Sequence, residues 1–416
     1  MSEPKALAER KQHIVLGVCG SIAAYKAAEL ARRLVAANYE VRCVMTEAAQ
    51  EFLGAKTLEA ITGAAVITGF WDGSENGSIS HIALADWADC VVIAPATADT
   101  IAKLALGFSE NPLLALVLAT RAATVVAPAM NCNMWEHAAT QRNVETLRSH
   151  GVTIVDPAHG MLACGWEGSG RLAELDDIVL AMETRLSVAP MQGMRVLVAA
   201  GPTREPIDPV RFISNRSSGK MGIALVRQAL IRGAAVELVH GPIDLAVPRA
   251  AAVTPVTTAQ EMYDVVRQRA HQGGPWDMII MAAAVADFRP RHQESSKIKG
   301  SRGLESLSLE ANPDILATLG TELRGRDRPY LIGFAVATGA ESELVQDAKE
   351  KLARKRADMV VANLAADGFE GDTNRVWLVD STAQVRALEC ATKDSIAAQI
   401  LEAAIAAKSR EGRDDV

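Results

Sequence analysis

The stretch TVVAPAMNCNMW, from Thr124 to Trp135, begins as an apolar, β-branched run and ends with two asparagines that flank a cysteine. The first part predicts a buried β-strand, because strands of a sheet covered on both faces are apolar throughout. The second part places hydrogen-bonding side chains, Asn131 and Asn133, where that strand ends. A parallel sheet with a functional edge is therefore the first expectation, with Met134 and Trp135 packed around the Asn131 amide.

The same pattern recurs along the chain and predicts the fold class. In the first half the apolar runs are HIVLGV, EVRCVM, DCVVIAPA, ATVVAPAM and VTIVD, with amphipathic segments such as AAYKAAELARRLVAA between them. The pattern restarts at Arg195 with RVLVAAGPT, AVELVHGP, DMIIMAAAVAD, PYLIGFAVAT and DMVVANL. We predict two Rossmann-like, doubly wound α/β domains, 1–190 and 191–416, joined by the connector SVAPMQGMR near Pro190.

Composition argues against several classes of protein. The chain has 416 residues with 49% hydrophobic content, which is enough for two cores. Its 43 basic and 50 acidic residues give a net charge of −7 without a basic run, so nucleic acid is not an expected partner. Apolar runs too short to span a bilayer and a charged N-terminus without a signal-peptide pattern predict a cytoplasmic protein with no membrane partner. Six cysteines without a C-x-x-C pair predict reduced thiols and argue against zinc.

Ligands of doubly wound sheets bind at the carboxyl ends of the strands, so the residues after each apolar run are the candidates for chemistry. The segment GVCGSIAAYKAAEL (17–30) places glycines and a serine before a helix, where N–H groups can hold a phosphate. A plain tight turn explains this segment equally well. The segment APATADT (94–100) similarly suits either a bound ring system or a capped helix.

Three further residues in the first half are candidates for catalysis, namely His81, Asn131 and Cys164. Taken singly, a cap, a turn residue and a buried thiol are the commoner explanations. Cys164, however, lies in GMLACGWEGSGR, and a stretch with four glycines is an unusual setting for a structural thiol.

The combination of GSIAAYK, HIALADWAD, PAMNCNMW and ACGWEGSGR strongly resembles the FMN-dependent phosphopantothenoylcysteine decarboxylases over residues 12–185. The resemblance implies that His81, Asn131 and Cys164 are catalytic. It also implies that FMN is bound by residues that follow the first three strands, namely Gly20, Ser21, Ile22, Thr46, Thr97, Ala98 and Asp99.

The decarboxylase chemistry explains these residue types. Loss of CO₂ from a saturated carbon needs an electron sink, which FMN provides by oxidising the substrate's CH₂–SH group to a thioaldehyde. In this hypothesis Asn131 binds the substrate carboxylate without adding charge, and His81 orients or exchanges a proton with the thiol. Cys164 then protonates the enethiolate.

The second half contains AGPTREPIDPVRFISNRSSGKMG (200–222), in which Ser217, Ser218 and Gly219 precede the helical segment IALVRQALIRG. These residues suit an anion site or a simple helix cap, and the Walker A spacing is absent. Together with AAVADF, KIK, NPDIL and GFAVAT, the segment resembles the bacterial CTP-dependent phosphopantothenate–cysteine ligases over residues 193–400. A fusion of the two halves in this order is similar to the bifunctional enzymes of coenzyme A biosynthesis.

The ligase resemblance implies three substrates, 4′-phosphopantothenate, L-cysteine and CTP, with Mg²⁺ held mainly by the CTP phosphates and no protein ligand assigned to it. Asn215 would hold the acyl-cytidylate, Arg211 would bind phosphate, and Lys297 would stabilise the transferring phosphoryl group. Gly300 and Ala337 replace a lysine and a glutamate common in relatives. The implied CTP contacts are Met281, Ala282, Ala283, Asp287, Lys297, Pro313, Asp314, Ile315, Leu316, Phe334, Lys351 and Lys355.

Three alternatives remain open at this point. One is a flavin-binding regulatory protein without turnover, and another is a peptidyl-cysteine decarboxylase or flavin prenyltransferase fused to a nucleotide-binding domain. The third, an NAD(P)-dependent oxidoreductase, is disfavoured because neither half contains G-x-G-x-x-G. The resemblance also implies a homo-oligomer, in which trimers formed by one half and dimers formed by the other could build a dodecamer.

Overall fold

The computed structural model describes residues 10–71, 80–161, 165–298, 306–323, 325, 328–368 and 371–411. The chain forms two compact units, Met1–Ser187 and Val188–Val416. Within the described residues, no helix combines the length and the apolar character needed to cross a membrane.

The first unit is built on a parallel sheet with the strand order β2-β1-β3-β4-β5. Its strands are β1 (His13–Val18), β2 (Glu40–Met45), β3 (Cys90–Ala96), β4 (Ala123–Pro128) and β5 (Thr153–Ile154), followed by the hairpin β6 (Ala158–Met161) and β7 (Glu167–Arg171). Its helices are a 3₁₀ turn (Ile22–Tyr25), α1 (Lys26–Ala36), α2 (Glu47–Gln50), α3 (Ala55–Thr62), α4 (Ser80–Trp87), α5 (Ala98–Leu106), α6 (Pro112–Ala119), α7 (Cys132–Glu136), α8 (Ala138–Ser149) and α9 (Leu175–Leu186).

Both faces of this sheet are covered, as the uninterrupted apolar strands predict. Side chains alternate across a strand, so Ile14 and Leu16 join a core cluster on one face while Val15 joins a second cluster on the other. Leu30 and Leu34 of α1, spaced one helical turn apart, belong to the first cluster. The five apolar runs of the first half are all strands, and the predicted α/β class is confirmed.

The second unit has a mixed sheet with the order β12-β11-β8-β13-β16-β17-β18-β19, in which the pairings from β12 to β17 are parallel and the last two are antiparallel. The strands of the sheet are β8 (Arg195–Ala200), β11 (Ala235–His240), β12 (Ala252–Pro255), β13 (Met278–Met281), β16 (Tyr330–Ala337), β17 (Met359–Leu364), β18 (Thr373–Asp380) and β19 (Val385–Thr392). The short pairs are β9 (Arg204–Pro206) with β10 (Phe212–Ser214), and β14 (Phe288–Pro290) with β15 (Leu309–Ala311). The helices are α10 (Lys220–Ile231), α11 (Ala259–Gln272), α12 (Ile315–Glu322), α13 (Glu341–Lys355), α14 (Ala365–Gly368) and α15 (Lys393–Glu411).

The sequence prediction of this sheet was incomplete. The parallel edge strand β12 and the antiparallel strands β18 and β19 were not predicted. β12 and β19 are mostly exposed and lack a continuous apolar run, whereas β18 contains the buried run VWLV, which the sequence interpretation missed. The run DMIIMAAAVAD was predicted as one strand, but β13 ends at Met281. Beyond this point only an isolated bridge joins Ala284 to Pro202, which has no N–H with which to extend the ladder.

An ion pair between a buried carboxylate and a partly exposed arginine joins the central strands of the second unit. Asp358, which is 3% exposed, immediately precedes β17 and accepts hydrogen bonds from the Leu331 N–H (2.7 Å) and from both Nη atoms of Arg328. The carboxylate thus ties β16 to β17 at their amino ends.

Replacing Arg328 with methionine is expected to lower the free energy of unfolding of the second unit by about 3–5 kcal/mol, because a buried carboxylate is left without its cation. Arg267→Met is the matched control, since Arg267 pairs with Glu322 at 2.8 Å but its side chain is 49% exposed. That variant is expected to lose less than about 1 kcal/mol. Urea unfolding of both variants measures the difference, and equal losses would contradict the role of Asp358.

Candidate functional site

The first candidate site lies along the carboxyl edge of the five-stranded sheet. Hydrogen bonds join the turns that follow neighbouring strands: Cys19 N donates to Pro95 O (3.1 Å), and Thr46 N donates to Val18 O (3.0 Å). All the residues predicted to bind the flavin follow β1, β2 or β3 at this edge, namely Gly20, Ser21, Ile22, Thr46, Thr97, Ala98 and Asp99.

The geometry of these turns depends on close packing and on caps. Gly20 lies against Ala48 so closely that an added Cβ would be 2.8 Å from the Ala48 backbone. The Ser21 hydroxyl accepts from Ala23 N at 3.3 Å, and the Thr97 hydroxyl accepts from Thr100 N at 3.2 Å. Each hydroxyl therefore orders the start of a helix, and the Thr97 hydroxyl also donates to Thr100 Oγ1 at 3.1 Å.

Two buried polar atoms of this site have no hydrogen-bond partner among the described residues, Thr46 Oγ1 and His81 Nδ1. His81 is the second residue of α4. Its ring lies edge-on to the Phe70 ring, with 5.3 Å between the two ring centroids. A buried polar atom without a partner costs about 1–3 kcal/mol. Both atoms therefore have the properties expected of groups that a bound molecule would satisfy.

The Asn131 side chain is fixed by its own helix. Its Oδ1 accepts from Asn133 N at 2.9 Å and caps α7, so the backbone of Asn133, and not its side chain, orients the amide. Trp135 packs against the apolar cluster on one face of the sheet, whereas the Met134 side chain is 49% exposed, and the packing of these two residues around the Asn131 amide stays a prediction.

The hairpin β6–β7 lies directly on the Asn131 turn. Met130 N donates to Gly170 O (2.9 Å), and a Cβ at Gly168 would be 2.8 Å from Cys132 Cβ. A Cβ at Gly170 would overlap Met130 O. The glycines thus allow the hairpin backbone to reach Asn131, while Cys164, predicted to be catalytic, lies outside the described residues.

The second candidate site is a cavity of about 650 Å³ at the carboxyl edge of the eight-stranded sheet. Asn215 and the Ser217–Gly219 turn line it together with the segment that leaves β13. The predicted nucleotide contacts that also line it are Met281, Ala282, Ala283, Asp287, Pro313, Asp314, Ile315, Leu316, Phe334, Lys351 and Lys355.

Hydrogen bonds hold the polar walls of this cavity. Asn215 Nδ2 donates to Val285 O at 2.9 Å, which joins the turn before α10 to the segment after β13. On α13, Lys351 donates to Phe334 O and Lys355 forms an ion pair with Asp314. Burial lowers the pKa of both lysines, and the negative charge of Asp287 opposes that shift.

Arg211 and Lys297 do not line the cavity, although the sequence predicts a role for both in the ligase half. Asp208, a 2% exposed residue that the sequence interpretation missed, joins Arg211 to Ile298, the residue after Lys297. Asp208 Oδ1 accepts from Arg211 N (2.8 Å), and Oδ2 accepts from Arg211 Nη1 (3.4 Å) and from Ile298 N (3.2 Å), next to Lys297. Burial raises the pKa of Asp208, but the backbone N–H donors and Arg211 outweigh it and hold that pKa below its usual value.

The cavity also contains polar residues that sequence interpretation missed: Lys220, Asn363, Asn374 and Lys393. Asn363 lies in the last part of the apolar run DMVVANL, as the penultimate residue of β17, and an amide inside an otherwise apolar strand was a usable signal. Asn374 and Lys393 had no such signal in the sequence, because Asn374 lies in the antiparallel part of the sheet and Lys393 lies in the helix after it. Among the described residues no group of three histidine, cysteine, aspartate or glutamate side chains could hold a metal ion.

Comparison with known families divides the chain at the same connector. Residues 2–187 match the family described as Flavoprotein, and residues 191–407 match the DNA/pantothenate metabolism flavoprotein C-terminal domain. The chain is 42% identical over 404 residues to the coenzyme A biosynthesis bifunctional protein CoaBC of Vibrio cholerae, covering 95% of this chain and 98% of that protein. The protein of the same name from Mycobacterium tuberculosis is 40% identical and covers 95% of this chain and 96% of its own length.

Solved structures similar to the chain include the C-terminal domain of a coenzyme A biosynthesis bifunctional protein CoaBC, at 39% identity and a TM-score of 0.44. That match covers 52% of this chain and 96% of the solved domain. A PPC decarboxylase mutant complexed with pantothenoylaminoethenethiol is 33% identical with a TM-score of 0.39, over 42% of this chain and 98% of its own.

Gly170→Ala tests whether close backbone approach seats the hairpin on the Asn131 turn. We expect the substitution to lower the free energy of unfolding of the first unit by about 1–3 kcal/mol, because the added methyl group overlaps the Met130 carbonyl. Gly160→Ala is the matched control: its φ of +153° is close to the +157° of Gly170, but the nearest atom to its added methyl is 3.9 Å away. Thermal unfolding and amide exchange of residues 165–171 provide the measurement, and equal effects would show that φ, not contact, sets the requirement.

Proposed function

The chain belongs to the family of coenzyme A biosynthesis bifunctional proteins, which unite phosphopantothenoylcysteine decarboxylase and phosphopantothenate–cysteine ligase activities, and we propose how its two units divide these reactions. The second unit joins L-cysteine to 4′-phosphopantothenate at the expense of CTP. The first unit decarboxylates the product to 4′-phosphopantetheine with FMN.

One observation carries the ligase assignment: residues from 215 to 355 that the sequence singles out line a single cavity. Its volume of about 650 Å³ suits a nucleotide-sized ligand. Asn215 precedes α10, Asp287 follows β13 and Lys351 lies on α13, so their convergence is a property of the fold rather than of one motif. The turn before α10 adds backbone N–H groups suited to phosphate.

The ligase reaction needs an activated carboxylate, since an amine does not displace oxide from a carboxylate ion. In the proposed first step a carboxylate oxygen of 4′-phosphopantothenate attacks the α-phosphorus of CTP, and pyrophosphate leaves. The cysteine amine then attacks the acyl carbon, the acyl–oxygen bond breaks, and CMP leaves. Mg²⁺ enters with the triphosphate as part of the substrate.

Residue roles follow from charge and reach. Lys351 and Lys355 supply positive charge at the α13 wall, and Asn215 holds the acyl-cytidylate through hydrogen bonds. Lys297 stabilises the transferring phosphoryl group, and Arg211 binds phosphate. Because Asp208 anchors both of these segments, we propose that they move towards the nucleotide together.

The first unit fits a bound flavin. The turns after β1, β2 and β3 lie side by side at the carboxyl edge of the sheet, and the buried atoms Thr46 Oγ1 and His81 Nδ1 have no hydrogen-bond partner in the part of the chain that the structure describes. FMN, when bound there, supplies the two-electron oxidation of the substrate's thiol-bearing carbon and later returns the hydride.

The residues of this chain bind and orient the substrate, and they transfer protons to and from it. The Asn131 amide, held by Asn133 N, donates to the substrate carboxylate and adds no positive charge that would retain it. His81 faces the thiol end of the substrate, and Cys164 donates the proton to the enethiolate left by CO₂.

Mixing the yellow protein with 4′-phosphopantothenate, cysteine and either CTP or ATP tests both halves at once. Pyrophosphate and CO₂ are followed separately, and we expect both with CTP. Pyrophosphate without CO₂ would remove the decarboxylase role of the first unit in this chain. If neither pyrophosphate nor CO₂ is released, the only remaining interpretation is a flavin-binding protein without turnover.

Asn131→Asp is expected to reduce CO₂ release by at least about a hundredfold, because a second carboxylate repels the substrate and replaces its donor. Pyrophosphate release should be unchanged. Asn133→Ala is the control, since only the backbone of that residue contacts Asn131 Oδ1. If Asn131→Asp released CO₂ at the wild-type rate, the proposed binding of the substrate carboxylate by Asn131 would be excluded.

Thr46→Val tests the fit of the flavin through two opposite changes. Without FMN the variant should be at least as stable as the parent, because it loses a buried hydroxyl that has no partner among the described residues. FMN binding should weaken about tenfold if the flavin normally satisfies that hydroxyl. Thermal unfolding of the flavin-free protein and fluorescence titration with FMN measure the two effects, and unchanged FMN affinity would remove Thr46 from the site.

We further infer that the chain is a cytoplasmic homo-oligomer that combines trimers and dimers. Ile22 and Tyr25, beside the proposed flavin turn, are each 61% exposed, which is typical of a surface that another subunit covers. Mass measurement in solution tests this proposal.

A further inference from the structure

Lys393 is a buried cation that the proposed ligase chemistry does not use. It is the first residue of α15, is 6% exposed and lines the nucleotide cavity. Burial lowers its pKa, the charge of Lys220 lowers that pKa further, and Asp372 opposes the shift. Because burying a charge is costly and an apolar residue would fill the space at less cost, the ammonium indicates a requirement for its hydrogen bonds.

These hydrogen bonds hold the described ends of the connection between β17 and β18. Lys393 Nζ donates to Gly368 O (3.0 Å) and to Gly371 O (2.6 Å), and its backbone N–H donates to Asp372 O (3.0 Å). The Asp372 carboxylate accepts from Lys220 Nζ at 2.6 Å. The first residues of α10 and α15 therefore clamp this connection from two sides.

The clamped glycine supports two amide side chains of the cavity wall. Asn363 and Asn374 are 5% and 3% exposed, and both line the cavity. Gly368 packs between them: an added methyl group would overlap Asn363 Nδ2 and lie 2.9 Å from Asn374 Oδ1. A shift of Gly368 would thus move both amides.

We propose that Lys393 is a positioning residue for nucleotide binding, which fixes Gly368 and through it the Asn363 and Asn374 amides at the cavity wall. The proposal rests on the proposed function, because CTP is the ligand that this wall receives. Lys393 acts before the chemical step, so its loss affects nucleotide binding more than turnover.

The test compares Lys393→Met with Lys408→Met in the full-length protein loaded with FMN. Lys408 is the matched control because it also lies on α15 and also makes two hydrogen bonds, to Asp277 O (3.0 Å) and Asp277 Oδ1 (2.8 Å), but does not line the cavity. We expect Lys393→Met to raise the KM for CTP about tenfold, with kcat for pyrophosphate release within about twofold of the parent. Lys408→Met should keep the parental KM, and both variants should decarboxylate supplied 4′-phosphopantothenoylcysteine normally.

A double-mutant cycle with Gly368→Ala separates positioning from direct contact with the nucleotide. If Lys393 acts through Gly368, the double variant should raise the KM no more than the stronger single variant. Multiplication of the two effects would show that Lys393 touches the nucleotide, and would overturn the positioning role. A CTP KM in Lys393→Met equal to that of Lys408→Met would overturn it as well.

The parent protein distinguishes failure of the proposed ligase function from failure of the proposed role of Lys393. If the parent releases no pyrophosphate from CTP, the proposed ligase function fails, whatever Lys393 does. If Lys393→Met loses the thermal transition of the second unit, Gly368→Ala alone decides: a raised CTP KM supports the positioning of the amides, and an unchanged KM overturns it.

Discussion

Parallel strands satisfy their backbone hydrogen bonds along their length and leave unpaired groups only at their ends, and both candidate sites depend on this constraint. The carboxyl ends of β1, β2 and β3 place three turns side by side in the first unit, and backbone bonds such as Thr46 N to Val18 O fix their spacing. In the second unit the ladder between β8 and β13 ends at the pair Ala199 and Met281, and beyond it Pro202 and Ala284 form an isolated bridge. The chain beyond Met281 is then free to line a cavity instead of continuing the sheet.

Close backbone approach is the second condition that both units share. Gly20 against Ala48, Gly170 against Met130 and Gly368 between two asparagines each occupy a place in which a Cβ would collide. In each case the close contact is made at, or next to, a residue with a proposed role: Gly20 itself, Asn131 beside Met130, and the two asparagines that flank Gly368. Glycine is required at these positions because it has no side chain, and the close backbone contacts that result fix the position of neighbouring polar side chains.

The sequence was sufficient for the fold class and for the residues immediately after buried strands, because both depend on local patterns. The run ATVVAPAM predicts a strand and so places Asn131 at an edge without knowledge of any neighbour. Lys393 and Asp208 escaped prediction for the opposite reason. Their importance lies in contacts with residues distant in the chain, such as Gly368 and Ile298, and no local pattern distinguishes them from surface charges. The strand β19 escaped because it is exposed along most of its length, whereas the buried apolar run of β18 was a local signal that the sequence interpretation did not use.

Asp208 has a consequence for how the second unit is ordered. A single carboxylate holds the Arg211 turn and the segment that contains Lys297 and Ile298, so the two segments share one anchor and lose conformational freedom in one event. Since the pKa of Asp208 lies below its usual value, the anchor is retained above the unfolded-state pKa and is lost only as the pH falls through the lowered one. Acid would then release both segments in the same narrow interval, and two groups 86 residues apart in the chain (211 and 297) would behave as one switchable unit.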